Sequence, residues 1–293
     1  MTLKQRTPER YQNIANRVWR GVNRQIEGLE TDSGIEGRMA VMNFSFKWLD
    51  ICTKLARSER VEDRIFAAEQ VAKLYEATAG IMTNGIIFDR VAGVLVKDPD
   101  VRVKAAFLKG MCTPRNILKI GKGLVDLVKS GGSVKVLTAI YEGAMETAKN
   151  DKASEKTREM AGRVLVNIIP NISIRGELAL RLRMMEEFNA LDPICQKKPV
   201  IEMLEQLSKG LQETQETKKQ WPDRKLNASV IVITIFLIET VRQLRITEII
   251  GTLQELLICP LITPEIKERI NLALLDFGIG VSFGKLEQSY GLE

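Results

Sequence analysis

The stretch that decides the fold runs from Val91 to Cys112, VAGVLVKDPDVRVKAAFLKGMC. Its first part places Val91, Val94 and Leu95 at i, i+3 and i+4, the apolar face of a helix. Pro99 disfavours helical geometry at Asp98 and, with its fixed φ and missing N–H, suits the first position of a new helix. Asp98 is the expected N-cap, its carboxylate accepting an otherwise orphaned backbone N–H. Val101, Ala105 and Leu108 then form a second apolar stripe, with Arg102 and Lys104 off it. One helix ends, the chain turns at Asp-Pro, and a second helix returns, with Ala105 expected against a neighbouring helix.

The same test carries helices outward in both directions. Thr7 and Pro8 supply an N-cap and first position near the N-terminus. Beyond them, Tyr11, Ile14, Val18, Val22 and Ile26 share one face, while Arg10, Arg17, Arg20 and Arg24 cluster on another. GLETDSGIEG (28–37) reads as a polar linker. Arg38–Arg57 is apolar nearly all round, as a buried central helix requires. Helices are further expected over Ser58–Ala79, Thr113–Ser130, Val134–Lys149, Ser154–Ile169, Ser173–Leu191, Pro199–Glu216, Asn227–Arg245, Thr247–Ile258 and Thr263–Gly278. No segment sustains the period-2 alternation of a half-buried strand.

With Asp98, Val101, Arg102, Ala105 and Ala106 in that order, the opening stretch resembles the second helix of a HEAT or armadillo-type repeat. Arg64, Ala67, Ala68 and Val71 form a weaker version. Ala161-Gly162 followed by Val164, Leu165 and Ile168 forms another, and KERINLALLDFG (267–278) resembles a closing helix. The resemblance implies an all-α, irregular HEAT/armadillo-like helical stack. The spacing departs from a constant period near ~40 residues: Ala68 to Ala106 is 38 residues and Ala106 to Ala161 is 55. Another multi-helix bundle therefore stands beside the repeat stack as the alternative. The expected organisation is a basic N-terminal helix or arm with linker (1–33), a main helical body (34–216), a polar connecting loop (217–226) and a C-terminal helical part (227–293), the last three forming either separate parts or one domain.

Composition restricts the function. The 293 residues are 45% hydrophobic and 27% charged, values of a globular rather than a disordered chain. Histidine is absent, which removes the commonest general base and every Cys-His or Ser-His-Asp arrangement. Gly121-Lys122-Gly123 lacks the glycine spacing of a phosphate loop. Glu186-Glu187 and Glu202 with Glu205 read as solvated helix faces. The four cysteines, Cys52, Cys112, Cys195 and Cys259, are far apart in sequence, and none sits in a C-x-x-C pair. They read as buried thiols of a reducing compartment rather than a zinc site. No catalytic residue, cofactor or metal is expected. The N-terminus lacks a signal-peptide core, and the longest apolar run, Val230–Ile238, is too short to span a bilayer. That points to the cytoplasm or the nucleus.

Charge supplies the functional candidates. The net charge is +6, yet residues 1–28 carry +4 while residues 246–293 carry −4. The arginine stripe Arg10, Arg17, Arg20 and Arg24 could meet nucleic-acid phosphates, an anionic membrane surface or an acidic partner. A second group, Lys197, Lys198, Lys218, Lys219, Arg224 and Lys225 around Trp221, mixes cations with an aromatic, as single-strand binders do. The leading expectation is a non-catalytic α-helical binding or scaffold protein presenting a groove to a protein partner. The alternative is a structural nucleic-acid-associated protein, such as a viral nucleocapsid or matrix protein. The oppositely charged ends also admit a head-to-tail homo-oligomer.

Overall fold

The computed structural model describes residues 13, 16, 17, 20, 21 and 24, and then 35–78, 85–130, 132–172, 178–218 and 228–279. Among the described residues there are twelve α-helices and no strand. They are α1 (Ile35–Leu55), α2 (Val61–Thr78), α3 (Gly85–Val96), α4 (Val101–Gly110), α5 (Pro114–Lys129), α6 (Val134–Ala148), α7 (Glu155–Asn171), α8 (Leu178–Asn189), α9 (Pro193–Lys218), α10 (Ala228–Leu244), α11 (Ile250–Ile258) and α12 (Pro264–Asp276). The absence of strand follows from the missing period-2 pattern. Of the expected linker 28–37, residues 35–37 open α1, and of the expected loop 217–226, residues 217–218 close α9; residues 28–34, 219–227 and the tail from 280 lie outside the described residues.

The chain forms two compact units, residues 1–124 with 132–147 and residues 125–131 with 148–293. In the first, α1 packs on α2 and α3, α2 on α3 and α4, and α3 on α4. Each helix thus meets its neighbours one and two places along the chain. The core joins Trp48, Leu49 and Leu55 from α1 to Ala67, Ala68 and Val71 from α2, Val91 and Leu95 from α3, and Val103, Phe107 and Leu108 from α4. Trp48 meets Phe66 edge-on, ring centroids 6.4 Å apart. Small residues let α2 and α4 approach closely: a Cβ on Gly110 would stand 2.6 Å from that of Ala72. Ala105 is buried as expected. Val101 is only half-buried, while Val103 and Phe107 are enclosed, so the buried face of α4 is wider than the stripe read from spacing.

In the second unit α7 packs mainly on α9 and also touches α8 and α10. Helix α9 reaches α10 and α11, and α12 covers α10 and α11. Leu165, Ile168, Phe188, Leu204, Leu237, Val241, Leu253 and Ile270 fill this core. Each fully buried side chain of this size contributes about 1.5–3 kcal/mol.

Several starts differ from the sequence expectation: α1 begins at Ile35, inside the expected linker, and α2 at Val61 in place of Ser58, while α9 differs most. Helix α9 begins at Pro193, six positions before Pro199. Asp192 accepts the Ile194 N–H at 2.9 Å, and Pro193 takes the first position. Pro199, inside the helix, offers no N–H to the Cys195 carbonyl. That carbonyl instead lies against Gly162 of α7, where a Cβ would overlap it. The glycine of Ala161-Gly162 thus admits the helix backbone that the proline leaves exposed.

The Asp-Pro turn of the first unit also works differently from a simple cap. Asp98 is buried, and its carboxylate receives Arg64 of α2, 34 residues earlier: Nε donates to Oδ2 at 2.8 Å and Nη2 to Oδ1 at 3.3 Å. Its Oδ1 also accepts the Asp100 N–H at 2.8 Å. Asp100, not Asp98, caps α4, accepting the Arg102 N–H at 2.8 Å. The long-range guanidinium claims the first carboxylate, and the cap moves two residues on. The second unit repeats the device at the same 34-residue separation: Arg158 in the first turn of α7 reaches Asp192 before Pro193 at 3.2 Å.

Candidate functional site

Directly over the Arg64–Asp98 pair lies an open cleft of about 660 Å³. Ala56, Arg57 and Ser58 from the end of α1 and the turn after it form one wall. Gly93, Val94 and Lys97 at the end of α3 form the other, with Arg64, Asp98 and Pro99 at its base. The turns that end α1 and α3 place these residues, so the cleft is a product of two helix ends.

Arg64 is held there with little freedom. Besides its two bonds to Asp98, Nη1 donates to the Ser58 carbonyl at 3.0 Å and the Glu59 carbonyl at 3.1 Å. Its side chain is 13% exposed and that of Asp98 only 3%. Arg64 and Asp98 therefore neutralise each other. Arg57 and Lys97 are exposed and form no ion pair among the described residues. They are the unpaired cations of the lining, while Ser58 Oγ donates at 2.8 Å to the buried carboxylate of Asp63. Nearby, Arg102 beside Asp100 holds that carboxyl down at about 2.

The basic residues singled out by sequence are distributed unequally. Arg17, Arg20 and Arg24 are helical and exposed, and Nε of Arg20 donates to the Asn16 carbonyl at 3.3 Å. Arg10 lies outside the described residues. Lys197 and Lys198 are exposed on α9, but both have partners. Lys197 stands 2.6 Å from Glu248, whose pKa that contact lowers, and Lys198 stands 3.0 Å from Glu159. Lys218 ends α9, while Lys219, Trp221, Arg224 and Lys225 lie outside the described residues. Of the stripe, Arg17, Arg20 and Arg24 are thus described, and of the cluster, Lys197, Lys198 and Lys218.

Other chemical groups have structural duties. Glu202 receives Arg163 through both oxygens, at 2.6 Å each, and Glu159 joins the same network. All four cysteines are buried free thiols. Burial pushes Cys52 and Cys112 up to about 12 and also raises Cys195, the last partly offset by Arg158. No group of three or more candidate metal ligands comes together among the described residues. No described helix is long and apolar enough to cross a membrane.

Sequence reasoning missed the cleft. Gly93, Val94 and Lys97 fall within the Val91–Cys112 stretch, where spacing marks Val94 as apolar face and gives Gly93 and Lys97 no role. A usable signal lay in the second Asp-Pro, Asp192-Pro193, against which the residues before Asp98 can be read. No family model, curated protein or solved structure matches the chain.

Proposed function

We propose that the chain is a non-catalytic α-helical binding or scaffold protein with an irregular HEAT/armadillo-like arrangement, acting in the cytoplasm or nucleus. The observation that carries this reading is the open cleft where α1 and α3 end, lined by Arg57 and Lys97 beside the fixed Arg64–Asp98 pair. Contacts that run mostly between helices one and two places apart suit a stack in which each repeat touches its neighbours. The twice-used Arg–Asp pair at 34 residues supports the same reading. A cleft of this kind presents a rigid surface to a protein partner.

The exposed Arg17, Arg20 and Arg24 favour a second reading, a structural nucleic-acid-associated protein of nucleocapsid or matrix type. Size-exclusion chromatography with absorbance at 260 and 280 nm, before and after nuclease, separates the two. A nuclease-resistant protein complex supports the first; a salt-sensitive, nuclease-sensitive species supports the second. The charge asymmetry further proposes head-to-tail self-association. Light scattering across a salt series on the full chain and on a chain lacking residues 1–28 tests it. Identical association at every salt concentration would exclude that contact.

A further inference from the structure

We propose that the cleft over Arg64 and Asp98 is a binding site for an acidic linear segment of a protein partner, one with a carboxylate beside an apolar side chain. This deepens the protein-binding reading and rests on it. The inference comes from comparing the two units position by position. Shifting the numbering by 94 superposes Arg64 on Arg158, Ala67 on Ala161, Asp98 on Asp192 and Pro99 on Pro193. It also brings α2 and α3 onto α7 and α8 to within a residue or two at either end. Both units therefore build the same helix, return helix and Arg–Asp pair.

The residues at the positions of the cleft wall differ. At the positions of Val94 and Lys97 the second unit has Phe188 and Leu191, which are 0% and 7% exposed and join its core. In the first unit Val94 is half-buried, Lys97 is exposed, and the space around a Cβ on Gly93 is empty for 4 Å. The second unit thus buries apolar side chains at both positions, although its ion pair is the more exposed of the two, with Asp192 48% exposed. In the first unit a shorter side chain and a cation stand there instead. At the position of Arg57 the second unit has Asp151, so the charge at the rim is reversed as well.

The chemistry of the walls selects the occupant. The Arg64 guanidinium already donates to Asp98, Ser58 and Glu59 through all three nitrogens, so no preset fork is left for a phosphate. The cations that remain, Arg57 and Lys97, stand on long side chains at the rim. Ala56, Gly93, Val94 and Pro99 present apolar surface between them. A carboxylate flanked by an aliphatic side chain satisfies both features, whereas a sugar-phosphate backbone would leave the apolar wall unused. The volume, about 660 Å³, lies in the range of roughly 300–1,000 Å³ that accommodates small ligands, and so holds a few side chains but not a folded domain.

The test is a selection from random decapeptides displayed on phage, against the full-length protein. Enriched peptides are then measured by fluorescence anisotropy. Two variants keep the outcome separable from misfolding: Arg57→Glu with Lys97→Glu reverses the rim, and Gly93→Leu fills the cleft at a position with room for a side chain. Both should retain the helical circular-dichroism spectrum. The expected result is enrichment of Asp or Glu next to Leu, Ile or Val, with binding weakened about tenfold or more by either variant, the size expected when two surface charge contacts are reversed. Binding by both variants as tight as by the parent chain would overturn the cleft assignment while leaving a protein-binding function in place. No enrichment over a scrambled library, or enrichment without acidic residues, would overturn it too. Binding of single-stranded oligouridylate in place of any peptide would remove the protein-partner reading together with the cleft.

Discussion

The buried Arg64–Asp98 pair should contribute far more stability than its half-exposed counterpart, Arg158–Asp192. Replacing Asp98 with Ala removes an acceptor of three hydrogen bonds and strands a guanidinium that is 13% exposed. Removing one partner of a buried ion pair costs about 3–5 kcal/mol. Arg64 keeps two carbonyl acceptors and borders an open cleft that water can enter, which reduces the expected cost to about 2–4 kcal/mol. The Asp192 side chain is 48% exposed, so its ion pair is worth at most about 1 kcal/mol. Its turn bond to the Ile194 N–H adds about another 1 kcal/mol, for a total near 1–2 kcal/mol.

Trp48 makes the first unit measurable by itself. It lies in α1 and is 2% exposed, so its fluorescence reports that unit once Trp19 and Trp221 are replaced by Phe. For a unit of this size each kcal/mol moves the midpoint by roughly 2–4 °C. Asp98→Ala should then lower the Trp48 transition by about 4–16 °C, and Asp192→Ala should leave it in place. Adding Arg64→Met to Asp98→Ala should recover part of the loss, because the stranded charge leaves with its solvation cost. An Asp98 effect no larger than that of Asp192, or simple additivity in the double variant, would refute the pair's structural role.

The remaining predictions use other contacts. Gly162→Ala should destabilise the second unit by about 3 kcal/mol or more, since its Cβ would meet the Cys195 carbonyl, while Gly93→Ala should be neutral or stabilise α3 by up to about 1 kcal/mol; paired denaturant titrations check both. Cys52 and Cys112, with thiols pushed up to about 12, should resist Ellman's reagent at pH 8 until guanidinium unfolds the chain. Fast native labelling of either would contradict their burial. The Asp100 carboxyl, held at about 2 against an ordinary 3.8, contributes stability that is present above about pH 4 and lost as pH falls toward 2. Circular-dichroism melts at pH 7 and pH 3 should therefore converge in Asp100→Asn relative to the parent chain.

Secondary structure was legible because it depends on local rules. The 3.6-residue apolar period, the proline starts at Pro114 and Pro264, and the cap at Ser154, whose Oγ accepts the Thr157 N–H at 3.3 Å, all act within one turn. The errors lie where a distant residue overrides such a rule. Asp98 has every local property of an N-cap, yet Arg64 takes its carboxylate from 34 residues away and Asp100 inherits the cap. Pro199 has every local property of a helix start, yet Gly162 accommodates the carbonyl it leaves unpaired, so the helix passes through it.

The candidate site was illegible for a different reason: a cleft is made by what does not fill it. Val94 and Lys97 are ordinary helix residues, and no periodicity marks the lack of a bulky side chain beside an ion pair. Phe188 and Leu191 hold the matching positions in the second unit and are buried in its core, although the ion pair there, with Asp192 48% exposed, is the less buried of the two. The matching change in the first unit is two apolar side chains in place of Val94 and Lys97. Such a change would enlarge the first unit's core and remove an exposed cation. An open cleft therefore forgoes apolar burial, on the order of 1.5–3 kcal/mol for each side chain of that size. A fold that buries apolar side chains at these positions in one unit and sets Val94 and an exposed Lys97 there in the other singles out Arg57 and Lys97 before the longer but scattered basic stretches.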